Sequence, residues 1–199
     1  KILYTIYIGM TLFQIILLLI GRIPLFDTLC ISFGTAGTGG FGIVNDSMGS
    51  YSTYCQVVTT IFMILFGVNF SAYYLLLTKK FVQAFKFEEV RYYFGIILAA
   101  ILVIGLNTAH LFRNLGEAFQ QAAFQVGSII TTTGFSSTDF SQWPSLSKTI
   151  LVLLMFVGAC AGSTGGGIKV SRILILCKAA KKEFQLYLHP NAVKKIKMD

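Results

Sequence analysis

Two short runs hold the residues most able to do chemistry: Thr35-Ala36-Gly37-Thr38-Gly39-Gly40-Phe41 and Ile130-Thr131-Thr132-Thr133-Gly134-Phe135. Both are rich in threonine and glycine, and both end in Gly-Phe. Aligning Gly40 on Gly134 also superposes Thr38 on Thr132 and Phe41 on Phe135. Neither run can be a spanning helix, so the reactive groups are backbone carbonyl oxygens. Such oxygens replace the hydration shell of a potassium ion without adding fixed charge, and the ion can still leave. Glycine permits the backbone angles that aim successive carbonyls at one axis. Irregular backbone at membrane depth is tolerated only where protein buries it or where it lines a wet cavity. On this logic the carbonyls of Thr38, Gly39, Gly40 and Phe41 line an ion path, together with those of Thr132, Thr133, Gly134 and Phe135. The Phe41 and Phe135 rings are expected to pack outward as wedges.

A third run, Gly158-Ala159-Cys160-Ala161-Gly162-Ser163-Thr164-Gly165-Gly166-Gly167, interrupts an apolar stretch. Each glycine costs a helix about 1 kcal/mol relative to alanine, so the helix must break here. A helical pattern resumes at Ile168. The loop formed by Gly162, Ser163, Thr164, Gly165, Gly166 and Gly167 has many accessible conformations. Open and closed arrangements of it can differ by only a few kcal/mol, which suits a gate.

The elements that must position these runs follow from hydropathy. Ile2 to Ile20 has about the 20 apolar residues that a bilayer crossing needs. Phe26 to Gly34 is too short to cross and fits a re-entrant helix leading into the first run. Tyr54 to Leu77 reads as a second span. Tyr92 to Leu111 spans again, and Leu115 to Ser128 is a short amphipathic helix leading into the second run. Thr149 to Gly158 begins the last span, broken by the glycine loop. The order helix, short helix, extended run, helix thus occurs twice, with Gly134 lying 94 residues after Gly40. A repeat of this kind is weighed before any other fold reading. Both copies share one orientation, which implies a symmetry axis along the membrane normal. The expected fold is an all-α membrane protein of two parallel helix–pore helix–filter–helix repeats. The first occupies 1–85 and the second 86–185, with an intramembrane gate loop at 159–167. A basic cytoplasmic tail follows at 186–199.

Composition supports this class. Of 199 residues, 55% are hydrophobic and 12% charged, with a mean hydropathy of +0.73, whereas a soluble domain carries roughly 25% charged residues. The formal net charge of +8 gathers at Lys79, Lys80, Lys86 and Arg91, and at Lys178, Lys181, Lys182, Lys194, Lys195 and Lys197. Basic residues mark cytoplasmic loops, so this charge is topogenic and is not assigned to nucleic acid. Residues 21–53 and 110–148 are then placed outside. Cys30, Cys55, Cys160 and Cys177 form no C-x-x-C pair and read as small buried hydrophobes. The chain opens on Lys1 without a secretory signal, which is expected of a piece of a longer protein.

With these motifs in place, the chain resembles the membrane subunits of bacterial Trk potassium-uptake systems (TrkH type), within the Trk/Ktr/HKT superfamily. The resemblance rests on Gly39-Gly40-Phe41, on Thr131-Thr132-Thr133-Gly134-Phe135 with Trp143-Pro144, and on the stretch from Gly158 to Arg172. His189-Pro190-Asn191-Ala192-Val193 adds to it. It covers essentially the whole chain. It implies potassium as the transported substrate, no covalent cofactor and no other metal. It also implies multi-pass residence in a bacterial cytoplasmic (inner) membrane, with the C-terminal tail in the cytoplasm. The family carries four such repeats around one pore, and this chain matches the second and third. The remaining repeats, surrounding membrane lipid, a homodimeric mate and a cytosolic nucleotide-binding regulatory subunit (TrkA-like) are the partners implied.

Other readings use the same residues. The pore could be less selective and pass sodium or ammonium. The glycines could instead pack helices in a structural subunit without a pore. An enzyme is disfavoured, because no carboxylate pair, Ser/His/Asp set or metal cluster accompanies the apolar segments. Gly-Ser-Thr-Gly-Gly-Gly-Ile-Lys lacks the order of a phosphate-binding loop.

Overall fold

The computed structural model describes residues 2–80 and 87–188. Lys86, the boundary between the two expected repeats, His189 to Val193 and nearly all of the basic tail lie outside the described residues. Among the described residues the regular structure is helical: α1 (Ile2–Ile20), α2 (Leu25–Ala36), α3 (Thr53–Phe66), α4 (Phe70–Leu77), α5 (Glu88–Thr108), α6 (Leu115–Ile130), α7 (Ser145–Phe156) and α8 (Val170–Leu188).

Helices α1 and α5 are long and apolar enough to cross a membrane. Helices α2 and α6 are the two short ones that precede the Thr/Gly runs. Pro24 opens α2, and Asp27 sits in its first turn, where a carboxylate suits the positive end of the helix dipole. Glu117 occupies the same place in α6. Fully buried Gln14 of α1 donates from Nε2 to the Thr35 hydroxyl at 3.0 Å, which ties the first span to the end of α2.

The core forms two interlocking clusters. One gathers Leu18, Ile31, Phe62, Met63 and Phe66 and takes Phe124 and Phe135 from the second half. The other gathers Tyr93, Ile97, Ile104, Ala122, Val126, Ile130 and Leu151 and takes Val68 and Ala72 from the first half. Helix α3 packs against α6 across the junction. The Thr/Gly runs are therefore held between two halves that share side chains.

The expected single span from Tyr54 to Leu77 is broken. Helices α3 and α4 meet at a bend of 92° across Gly67, Val68 and Asn69. A helix end leaves carbonyls without partners, and in an apolar setting each needs a donor. The last carbonyls of α3 all find one. The Tyr93 hydroxyl donates to Ile64 at 3.1 Å and the Tyr73 hydroxyl to Leu65 at 2.7 Å. The Thr164 N–H donates to Phe66 at 3.4 Å and the Cys160 N–H to Gly67 at 3.0 Å. Asn69 then opens α4 by accepting from the Ser71 N–H at 2.8 Å. The break is thus maintained by Tyr73 together with three residues of the second half, two of them from the glycine loop.

Candidate functional site

The two Thr/Gly runs adopt the same backbone. Thr38 and Gly40 have φ of 51° and 68°, and Thr132 and Gly134 have φ of 58° and 91°. Every second residue is left-handed in both, at positions 94 apart. The hydrogen bonds repeat as well. The Gly37, Thr38 and Gly39 N–H groups donate to the carbonyls of Phe33, Thr35 and Gly34 at 2.8, 3.3 and 2.7 Å. Those of Thr131, Thr132 and Thr133 donate to Gly127, Ile129 and Ser128 at 3.2, 3.0 and 2.9 Å. Each short helix therefore hands its chain to the following run through the same turn.

The runs lie against one another. A Cβ on Gly40 would sit 1.9 Å from the Thr133 carbonyl oxygen, so only glycine allows this approach. A Cβ on Gly134 would meet only an ordinary contact, with the Gly40 Cα nearest at 4.0 Å.

The two phenylalanines differ, against expectation. Phe135 is buried against α2, its ring close to Gly34, and fills the seam between the halves. Phe41 is 85% exposed, because it projects from the outer flank of the pair, where the described residues offer it no cover.

Outside the runs, a polar network joins the halves. The Gln56 Oε1 accepts from Gln120 Nε2 at 2.9 Å and from Gln121 Nε2 at 3.3 Å, and Gln56 Nε2 donates to the Met48 carbonyl at 3.0 Å. The Ser137 hydroxyl donates to Gln121 Oε1. The Met48 N–H donates to the Ser136 carbonyl at 2.7 Å, linking the two loops that leave the runs. Three glutamines on α6 were visible in sequence as a polar face; Gln56, on an apolar stretch 64 residues before Gln120, gave no such signal. The Tyr51 hydroxyl donates to Asp27 Oδ2 at 2.8 Å. Burial, and then this carboxylate, push its pKa up to about 12. Asp46 and Asp139 serve their own loops: Asp46 accepts from the Ser50 hydroxyl, and Asp139 accepts from the Ser141 N–H at 2.9 Å. Hydrogen bonds from Ser141 hold the Asp139 carboxyl below its ordinary range.

The glycine loop lies beside the inner threonines of both runs. The Thr38 hydroxyl, 2.8 Å from the Gly37 carbonyl oxygen to which it donates, also approaches the Thr164 carbonyl oxygen at 3.3 Å, and the Gly166 N–H donates to the Thr132 hydroxyl at 2.6 Å. The loop is pinched at its base, where Val157 and Ile168 form a parallel bridge and the Gly158 N–H donates to the Ile168 carbonyl at 2.7 Å. A Cβ on Gly158 would lie 2.2 Å from the Gly166 carbonyl oxygen. The Ser163 hydroxyl turns back onto the Cys160 carbonyl at 2.6 Å. Lys169 Nζ donates to the Gly165 carbonyl and so stabilises the loop from its exit. Among the described residues no three His, Cys, Asp or Glu side chains gather as a metal site.

The family model described as "TrkH: Cation transport protein" matches residues 1–199. A Trk system potassium uptake protein TrkH of Salmonella typhimurium is 34% identical over 204 residues, a match that covers all of this chain and 42% of that protein. A TrkG of Escherichia coli is 33% identical over 173 residues, covering 85% of this chain and 36% of that protein. The crystal structure of the potassium transporter TrkH from Vibrio parahaemolyticus superposes with a TM-score of 0.92 at 34% identity, covering all of this chain and 44% of that one. The chain thus spans less than half the length of the relatives it matches.

Proposed function

Because this chain belongs to the TrkH family of cation transport proteins, we propose that it supplies two adjoining quarters of a potassium-uptake pore in a bacterial cytoplasmic (inner) membrane. Residues 1–85 and 86–185 are the two parallel repeats, and the basic tail at 186–199 lies on the cytoplasmic side. The carbonyls of Thr38–Phe41 and Thr132–Phe135 are the parts of the selectivity filter that this chain contributes. The loop Gly162–Gly167 is the gate.

One observation carries this reading. Two runs 94 residues apart share their left-handed positions and their hydrogen bonds, touch at Gly40 and Thr133, and both lie against the glycine loop at their inner threonines. Helix-packing glycines in a poreless subunit have no need for that coincidence. The bare outer flank at Phe41 fits a neighbouring repeat drawn from the rest of a longer chain. A homodimeric mate and a TrkA-like nucleotide-binding subunit in the cytosol complete the assembly.

The test is ion uptake into liposomes. The full-length protein is expected to take up potassium in preference to sodium, whereas residues 1–199 alone pass neither. Equal sodium and potassium flux through the full-length protein overturns the potassium filter. Selective conduction by residues 1–199 alone overturns the two-quarter reading and favours a pore assembled from two such chains.

A further inference from the structure

Helix α5 begins with two carboxylates, and both reach α8. Glu88 pairs with Lys178. Glu89 is 5% exposed, a strongly buried position for a carboxylate. Its Oε1 accepts from the Ala161 N–H at 2.5 Å and from the Ser171 N–H at 3.2 Å. Ala161 belongs to the glycine loop, and Ser171 is in the first turn of α8. One oxygen thus joins the loop to the start of the helix that leaves it. The carboxylate also meets the unsatisfied N–H groups and positive dipole end of α8, so the bond to the helix is charge-assisted. Lys178 lies seven residues, about two turns, beyond Ser171 on α8. The first turn of α5 therefore holds α8 at two heights.

This placement has a mechanical consequence. Most of the loop's other ties run to Thr38, Thr132, Phe66, Gly67 and Phe70, beside the runs or the α3–α4 break, while at the loop's exit Lys169 Nζ and the Val170 N–H donate back to the Gly165 and Ala159 carbonyls. Those ties keep the loop under the filter. The Glu89 tie is of another kind, since it joins both the loop and the start of α8 to a third element, α5, and so makes loop position depend on whether α8 rests there. We propose that Glu89 is the positioning residue that couples displacement of α8 to the glycine loop, holding the loop under the filter while α8 rests against α5. The proposal rests on the gate reading above.

The test uses the full-length protein in liposomes, with three variants and two readouts: basal potassium flux and the ratio of potassium to sodium uptake. Glu89→Ala removes the shared acceptor and is expected to raise basal flux about tenfold with the ratio unchanged, because the filter residues are untouched. Ser171→Pro removes only the donor on α8, at a helical turn that tolerates proline, and is expected to raise flux about threefold. Glu89→Gln keeps an acceptor oxygen and is expected to fall between wild type and Glu89→Ala. A residue that merely supports the fold would lower flux, or change the ratio, in step with lost protein. Should Glu89→Ala fail to accumulate, Ser171→Pro carries the test. A variant with Gly162–Gly167 shortened separates the two hypotheses. If shortening raises flux while Glu89→Ala and Ser171→Pro do not, the coupling is overturned and the gate stands. If shortening also leaves flux unchanged, the gate reading falls and the coupling falls with it.

Discussion

The two Thr/Gly runs have one backbone and two environments. In the second run Thr131, Thr133 and Phe135 are buried, and the Ser128 hydroxyl donates to the Phe135 carbonyl at 2.6 Å. In the first run Gly39 and Phe41 are exposed, and the position 94 residues before Ser128 is Gly34, which has no hydroxyl to give. Gly34 is small because the Phe135 ring lies beside it; a Cβ there would come 3.0 Å from that ring. The comparison separates two causes. Local sequence sets the turn and the left-handed residues. Neighbouring elements set how firmly the turn is held, and only the second run has a neighbour on each side within the described residues.

The largest test of that comparison is at the paired glycines. Gly40→Ala places a Cβ against the Thr133 carbonyl and strains a left-handed residue, at about 1–2 kcal/mol for the backbone and about 1–3 for the overlap. Discrimination between potassium and sodium should fall about a hundredfold in the full-length protein, since each 1.4 kcal/mol is about a factor of ten. Gly134→Ala makes only an ordinary contact and costs the backbone strain alone, so about a tenfold loss is expected. Equal losses at the two positions would show that the seam between the runs does not matter. Unchanged discrimination in both would remove the filter assignment.

At the phenylalanines the expected effect is on stability and not on discrimination. Phe135→Ala should destabilise the full-length protein by about 3–5 kcal/mol, measured by unfolding in detergent. If a neighbouring repeat covers the outer flank, Phe41→Ala costs a similar amount there. A Phe41→Ala change within about 0.5 kcal/mol of wild type would mean that the flank stays bare and the runs differ in the whole protein too. The smallest effect belongs to Ser128→Ala. It removes one donor to a filter carbonyl, should cost about 1 kcal/mol, and should lower discrimination about fivefold. No change would place the rigidity of the second run in its packing alone.

Much of this architecture was legible in residue types. The runs, the short helices that precede them and the glycine loop all break hydropathy or helix propensity locally, and local breaks can be read from sequence. The α3–α4 bend was not legible. A lone Gly67 inside Tyr54–Leu77 looks like any helix glycine, and the donors that support the break are Tyr73, Tyr93, Cys160 and Thr164, three of them far along the chain. Glu89 was hidden for a similar reason. Beside Glu88, Lys86 and Arg91 it looks like one charge in a polar connection, and its burial becomes visible only when Ala161 and Ser171 are placed next to it. The outward packing expected of both phenylalanines treated the two repeats as equal, and symmetry of sequence does not carry over to symmetry of surroundings.

The carbonyls at the end of α3 give the proposed gate a second consequence. Phe66 and Gly67 receive their donors from Thr164 and Cys160, so a loop that withdraws takes those donors with it. Two acceptors are then stranded beside Met63 and Phe66, at several kcal/mol each if the space stays dry. Water relieves that cost. On the proposed gate reading, opening is therefore also a wetting transition, in which the movement that clears the path beneath the proposed filter draws in the solvent a departing cation needs for its new hydration shell.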